Sequence, residues 1–547
     1  MKTSRLFRIF IMAVDAIVLI LLRPFVRFTR LFSFKHSEEK GGEPHAVEYT
    51  RPEKLGIKPE LEVDGQPAEK FSRRDPIYFD TERKYSELDG IVTFRGDNLR
   101  SGGSAGNAAL KQKKLEIAWS SDTGRLKKSY GNGWWTGSGW TGQPLIVRWT
   151  DEQKQKMDML SAAKQKKGLK EVVYSTMDGK VYFLDAETGE RTRADIEAGM
   201  PFKGSGALDP RYPILYLGPG DAGPEGRYAR SVVYSLADMQ KLFEFGGQDP
   251  FAPRVFHGFD SSHLVDAETD TLIEPSENGI IYTFKLNTKM DENGKITIDP
   301  TERVKLRYTT ARSGEDRYWL GMEDSAVLWK NYMYIADNGG NLLCIDINTM
   351  EVIWAQDVKD DTNGSPVLAV EDGIPYIYIA TSLHWTASRL LKLGHVPIFK
   401  INALTGEYVW IREYLCNTVA GISGGIQATA ALGKGSVENL VFFPVARTPH
   451  VRSGLLVALN RSTGEVVWKF KMKRYAWSSP VLVYGENGEA VLIQGDSKGT
   501  LYMLDAKTGK ELSKVELGAN IESTPAVFDD MIVVGTRGMK IFGIRIR

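Results

Sequence analysis

From about residue 91 to its end, the chain is a succession of short apolar runs broken every few positions by turn residues. Stretches such as VVYSTMDGKVYFL (172–184) and YMYIADNGGNLLCI (332–345) place two apolar, β-rich runs around an Asp/Asn–Gly step. That pattern predicts a hairpin, because Asn, Asp and Gly tolerate the backbone conformations of a tight turn.

Two signatures repeat along this pattern. The first is a small hydroxyl or amide residue, then Pro or a small residue, then apolar or β-branched residues. It reads GQPLIV at 142–147, SGAL at 205–208, SSHLV at 261–265 and DSAVL at 324–328, then GSPVLAV at 364–370, ATAAL at 428–432, SSPVLV at 478–483 and STPAV at 523–527. The steps run from 40 to 64 residues, about 54 on average. The second signature closes most units: YFLDAETGE (182–190), IDINTMEVIW (345–354), INALTGEYVW (401–410), ALNRSTGEVVW (458–468) and YMLDAKTGKEL (502–512). Trp354, Trp410 and Trp468 each lie four residues past the turn's Gly or its equivalent. A large flat side chain at one repeating place is expected to pack between neighbouring units.

A repeat of this length with about four short strands is a propeller blade. The expected fold is therefore all-β: an eight-bladed β-propeller of four-stranded antiparallel blades over 91–547. Seven blades stays open, because the unit at 205–245 lacks a Thr-Gly turn. After STPAV the last unit has room only for MIVVGT and KIFGIRIR, while LEIAWSS (115–121) is a strand without a blade. Pairing the two ends would close the ring and protect its sheet edges.

The first segment has a different pattern. Residues 9–22 form an apolar run broken only by Asp15, preceded by Lys2, Arg5 and Arg8 and followed by RPFVRFTRLFSFKH. Fourteen residues fall short of the roughly 20 of a spanning helix unless flanking aromatics and arginines complete it. Residues 1–35 are accordingly expected to be an N-terminal membrane-anchor helix, 36–90 a polar linker or lead-in, and the propeller to be extracytoplasmic. With 70 Lys plus Arg against 69 Asp plus Glu, the net charge of +1 argues against a nucleic-acid partner. The two cysteines, Cys344 and Cys416, provide neither a disulfide framework nor a CxxC site.

The turns LDAETGE, INALTGEYVW and LNRSTGEVVW, with FRGDNLRSGG at 94–103, resemble the β-propeller family built from pyrroloquinoline-quinone (PQQ)-type repeats. This resemblance implies one of two classes. Quinoprotein dehydrogenases oxidise alcohols or sugars with the quinone and calcium, and usually carry a disulfide between adjacent cysteines. Envelope scaffolds of the outer-membrane assembly lipoprotein type use the propeller without a cofactor. Adjacent cysteines are absent here, so the chain is closer in character to the scaffolds.

In a propeller, residues just before each inner strand line one mouth of the central channel. Those positions are Gln143, Asp260, Glu323, Asp324, Asn363, Gln427, Trp477 and Glu522, of which four are acidic and suited to a cation, an amine or a basic segment. Trp134, Trp135 and Trp140, in YGNGWWTGSGWTGQP, could offer a platform for a sugar ring or an extended peptide. His257 and His263 near Asp260 lack a fourth ligand, and His263 is expected to be structural. The leading expectation is a membrane-anchored envelope scaffold that binds another envelope protein or polymer, with no redox cofactor. The alternatives are a PQQ- and calcium-dependent dehydrogenase and a polysaccharide-binding propeller.

Overall fold

A computed structural model describes residues 29–80, 82–313, 317–384, 392–419 and 422–547. Eight antiparallel sheets follow one another along the chain as blades: 145–197, 207–246, 264–309, 327–357, 367–417, 431–472, 481–516 and 526–546. The eighth blade takes its outer strand from the N-terminal side, where Leu115–Asp122 pairs with Lys540–Ile546. The ring therefore closes as the unpaired LEIAWSS segment predicts, and the unit lacking a Thr-Gly turn is a complete four-stranded blade.

The buried apolar residues gather into eight clusters, each shared by two successive blades around the ring. Each sheet is thus buried on both faces, which explains why its middle strands are apolar at nearly every position rather than alternating.

Both signatures prove to be joints between blades. The hydroxyl ahead of each inner strand bonds to the neighbouring blade. Ser205, Ser325, Ser365, Thr429 and Ser479 each accept from a backbone N–H of the blade before, at 2.7–3.0 Å. Ser262, Ser478 and Thr524 donate to carbonyls of Gly206, Ser523 and Thr141, completing the circle. Each such bond contributes roughly 0.5–1.5 kcal/mol.

The tryptophans provide the second joint. Trp354, Trp410 and Trp468 lie over Gly406, Gly464 and Gly509 of the next blade's turn, and their indole N–H groups donate to Ala403, Arg461 and Ala506 carbonyls at 2.9–3.1 Å. Trp119, on the closing strand, docks identically on Gly189 and Ala186 of blade 1. A Cβ at Gly406 would sit 2.8 Å from the Trp354 ring, and its φ of 73° also favours glycine.

The segment 91–106 fills the middle of the ring and bonds to all eight blades. Asp89–Ile91 leads into it as an extra strand beside the inner strand of blade 1. Val92 and Thr93 carry the contacts to blades 2 and 3, through Leu208 and His263. Asn98 bonds blade 4 at Leu328, and the Leu99 carbonyl accepts from Leu368 of blade 5. Arg95, fully buried, donates to carbonyls of Ala430 in blade 6 and Pro480 in blade 7. Arg100, also buried, donates to Ala326, Phe94 and Ser262 carbonyls. Ser104–Ala105 then runs parallel to the inner strand of blade 8. Burial draws both guanidiniums down to a pKa of about 10, still far above neutrality.

The expected membrane-anchor helix is corrected by the structure. Among the described residues, no helix is long and apolar enough to cross a membrane. The apolar run 9–22 lies outside the described residues. Thr29–Ser33, at the end of the expected anchor, is a strand on the outer edge of blade 5. Its Arg/Leu/Phe sequence satisfies a period of two as readily as an amphipathic helix. Leu31 packs beside Trp410 and Arg30 lies 3.7 Å from Glu413. Within 36–90, Lys58–Val63 and Gln66–Ala68 add two strands to blade 3.

Replacing Arg100 by Ala would leave several buried carbonyls without donors and is expected to cost about 3–5 kcal/mol. Trp119→Ala should cost a similar ~3–5 kcal/mol by emptying the closing joint. Denaturant unfolding of each, beside the exposed Arg51→Ala at about ±0.5 kcal/mol, checks both.

Candidate functional site at the channel mouth

Two sets of residues meet at one mouth of the channel. The first precedes the inner strands, as expected. The second occupies the hairpins between second and third strands, where Glu277 of SENG and Asn338 of DNGG hold equivalent places. Gly279 and Gly340 end these turns in left-handed conformation, with φ of 85° and 76°.

On one side the mouth is acidic. Asp260, Glu277 and Glu323 bring carboxylate oxygens within 4.8 Å of one another, the first two buried and the third half-buried. Glu323 is oriented by Asn338 Nδ2 at 3.0 Å and by Asn363 Nδ2 at 2.9 Å. The same two amides reach Asp361, which also accepts from the Ser382 hydroxyl at 3.1 Å. Apart from the contact between the Asp260 and Glu277 carboxyls, neither oxygen of Asp260 nor Glu277 Oε1 accepts from an N–H or hydroxyl donor. The cation nearest Asp260 is Lys203, whose Nζ lies 4.0 Å from Asp260 and 3.9 Å from Asp221. Arg254 donates to the Glu277 carbonyl at 2.9 Å.

The opposite side is aromatic. Trp140 and Trp477 meet edge to face, their centroids 6.0 Å apart at 71°. Lys203 lies 5.4–5.6 Å from the centroids of Trp135, Trp140 and Phe256, in range of a cation–π contact. Glu522 pairs with Arg537 at 3.8 Å beside Gly139. A short ribbon, Arg125–Lys127 with Trp134–Thr136, adjoins this wall. Its tip turns toward Asp221, to which the Tyr130 hydroxyl donates at 3.4 Å.

The electrostatics follow from burial. Desolvation pushes the Asp260 carboxyl up to about 7, against the pull of Lys203. Burial, then repulsion from Glu323 and Asp260, raises Glu277 well above the ordinary carboxylate range, and burial with Glu323 raises Asp361. Burial opposes the charge of Lys203, yet Asp260, Glu277 and Asp221 outweigh it and hold its pKa above normal.

Several residues expected at the mouth do other work. Gln143 faces the central plug, accepting from the Arg95 N–H at 2.9 Å and donating to the Pro525 carbonyl at 2.8 Å. Asp324 accepts from the Ala336 N–H inside blade 4. Gln427 is buried, while Trp134 is 45% exposed beneath Arg125 on the ribbon. His263 bonds Ser231 and Glu274 within the core, a structural place. Lys203, Glu277, Asn338 and Asp361 were not among the expected residues. Aligning the hairpin turns as well as the inner strands would have found Glu277 and Asn338.

The family profile described as "Outer membrane protein assembly factor BamB" matches residues 452–546. The matched stretch, from the end of blade 6 through blade 8, resembles the PQQ-repeat propellers of that family, and the chain as a whole folds as an eight-bladed β-propeller. The chain is 23% identical over 222 residues to the outer membrane protein assembly factor BamB of Legionella pneumophila, covering 40% of the chain and 50% of that protein. It is 24% identical over 352 residues to the quinoprotein alcohol dehydrogenase PedE of Pseudomonas putida, covering 63% of the chain and 48% of the enzyme. The chain thus spans about half the length of these curated relatives. The crystal structure of BamB from Moraxella catarrhalis superposes with a TM-score of 0.45 at 14% identity, covering 75% of this chain and 97% of that one.

The mouth of this propeller differs from the quinone site that the resemblance to dehydrogenases implies. The edge-to-face Trp140–Trp477 pair leaves no parallel slot between its rings for a planar cofactor. Cys344 and Cys416 are buried as free thiols in blades 4 and 5, so no cysteine pair covers the mouth. What the arrangement offers is a cup, closed below by the 91–106 plug, with more carboxylates than cations.

Between about pH 4 and 7 the folded state keeps a proton on Asp260 that the unfolded chain has released. The contribution of this group to stability therefore falls as pH rises through that window. Asp260→Asn is expected to gain on the order of 2–4 kcal/mol over the parent at pH 8, and nothing at pH 4. Thermal melts across that range check the sign.

Proposed function

We propose that the chain is a cell-envelope scaffold propeller, without a redox role, that binds a basic partner through its acidic, aromatic-walled mouth. The single observation that carries this reading is the excess of buried carboxyl groups over cations at the mouth. Asp221, Asp260, Glu277, Glu323 and Asp361 face Lys203 and Arg254 there. A basic segment supplies the missing charge, and aromatic walls suit the apolar stem of its side chains. The names of the BamB relatives support the envelope setting and an assembly role. The names of the quinoprotein relatives favour a dehydrogenase instead, and the mouth geometry weighs against it.

Two measurements test the reading. Purified chain incubated with PQQ and calcium is expected to show no dye-linked oxidation of alcohols or sugars; stoichiometric quinone with calcium-dependent turnover would overturn it. A photocrosslinker replacing Trp134 on the ribbon beside the mouth should capture an envelope protein in cells, whereas one replacing Val467 on the outer edge of blade 6 should not. Capture at both positions, or at neither, would count against a mouth-directed partner.

A further inference from the structure

We propose that Asp260, Glu277 and Glu323 form a socket for one primary ammonium, carried by a lysine side chain of the partner. The inference rests on the mouth being a ligand site and names the group that enters it. The first support is geometric. An ammonium donating three hydrogen bonds of about 2.8 Å along tetrahedral directions separates its acceptors by about 4.6 Å. The three carboxylates offer oxygens that all lie within 4.8 Å of one another, close enough for one such group to reach all three. Three donors then meet three acceptors, whereas a planar guanidinium favours two oxygens side by side.

The second support is the set of buried oxygens with no partner. Asp260 is 6% exposed and Glu277 3%, yet, the contact between the two carboxyls apart, both oxygens of the first and Oε1 of the second accept from no N–H or hydroxyl donor. Leaving such groups unbonded is costly, so they point to an absent donor. They are also held in place from behind. A Cβ at Gly220 would overlap Asp260 Oδ1, and one at Gly258 would overlap Glu277 Oε1. Glu323 is aimed by its two amide donors, Asn338 and Asn363.

The resident cation leaves the socket open. Lys203 lies 4.0 Å from Asp260, beyond hydrogen-bond reach, and is drawn toward the aromatic wall. Its charge there disfavours a divalent cation in the trio more than it disfavours a monovalent ammonium. Access comes through Glu323, the half-buried member, and the nearby aromatic rings give the four methylenes of a lysine a surface to cover.

The test is calorimetric titration of the full chain at pH 8. The probe is a capped pentapeptide with a central lysine flanked by glycines. Its arginine and acetyl-lysine versions, cadaverine and calcium chloride are titrated in parallel. The lysine peptide is expected to bind at least 10-fold more tightly than the arginine and acetyl-lysine versions. Asp260→Asn and Glu277→Gln should each weaken it at least 10-fold, with melts confirming that both variants fold. Glu60→Gln, far from the mouth on the edge of blade 3, should leave binding unchanged. Equal binding of the lysine and acetyl-lysine peptides overturns the proposal, as does calcium binding that excludes the peptide. Cadaverine binding more tightly than the peptide overturns the protein-borne source in favour of a free amine. Failure of the lysine peptide while the mouth crosslink persists overturns the socket and leaves the mouth reading standing; failure of both removes the two together.

Discussion

The structure depends on how the backbone at the propeller axis is satisfied. Eight inner strands point carbonyls toward a narrow centre, where an unpaired carbonyl away from water costs as much as a lost hydrogen bond. The chain answers with its own segment 91–106, and above all with Arg95 and Arg100, whose forked donors reach four different blades. Arginine suits this place because it presents several fixed donors and keeps its charge even when buried. The plug also blocks the axis of the ring, so the mouth can hold a ligand but does not lead it through.

Around that centre, two joints repeat with little variation. A hydroxyl ahead of each inner strand ties one blade to the next near the axis, and tryptophans on outer strands do the same at the rim in four places. The two act at different radii, so together they set the angle between blades. Loops at the mouth are carried by these rigid supports, which is why residues from separate blades can converge to within a few ångströms at Asp260, Glu277 and Glu323.

Much of the fold was legible because the repeat carries its own physics. The Ser/Thr-Pro signature marks inner strands, and the Thr-Gly turn with its following Trp marks the rim joint. Trp119 escaped notice because its blade is split between the two ends of the chain, so no turn in local sequence announces it. At the mouth, Asp260, Glu323, Asn363 and Trp477 could be listed from position before the inner strands and Trp140 from its Trp/Gly-rich run, while Gln143 and Asp324 turn into the frame. Glu277 was missed since it sits in a hairpin turn whose residues read as ordinary turn formers. The N-terminal stretch was misread for a different reason: arginines alternating with large apolar residues suit a lipid surface and a sheet edge equally, and only a neighbouring strand decides between them.

By itself, the sequence determined the all-β class, the blade count within one, the ring closure and the residue types at each joint. These follow from local periodicity and turn chemistry, which depend on neighbours a few positions apart. Tertiary structure alone decided which polar groups meet. Lys203 comes from the segment after blade 1, Glu277 from a turn in blade 3 and Asp361 from the loop after blade 4, and only closure of the ring puts them around one cup. Whether a carboxylate is a solvated loop residue or a buried, unpartnered acceptor depends on what the other blades leave exposed, a property no single segment contains.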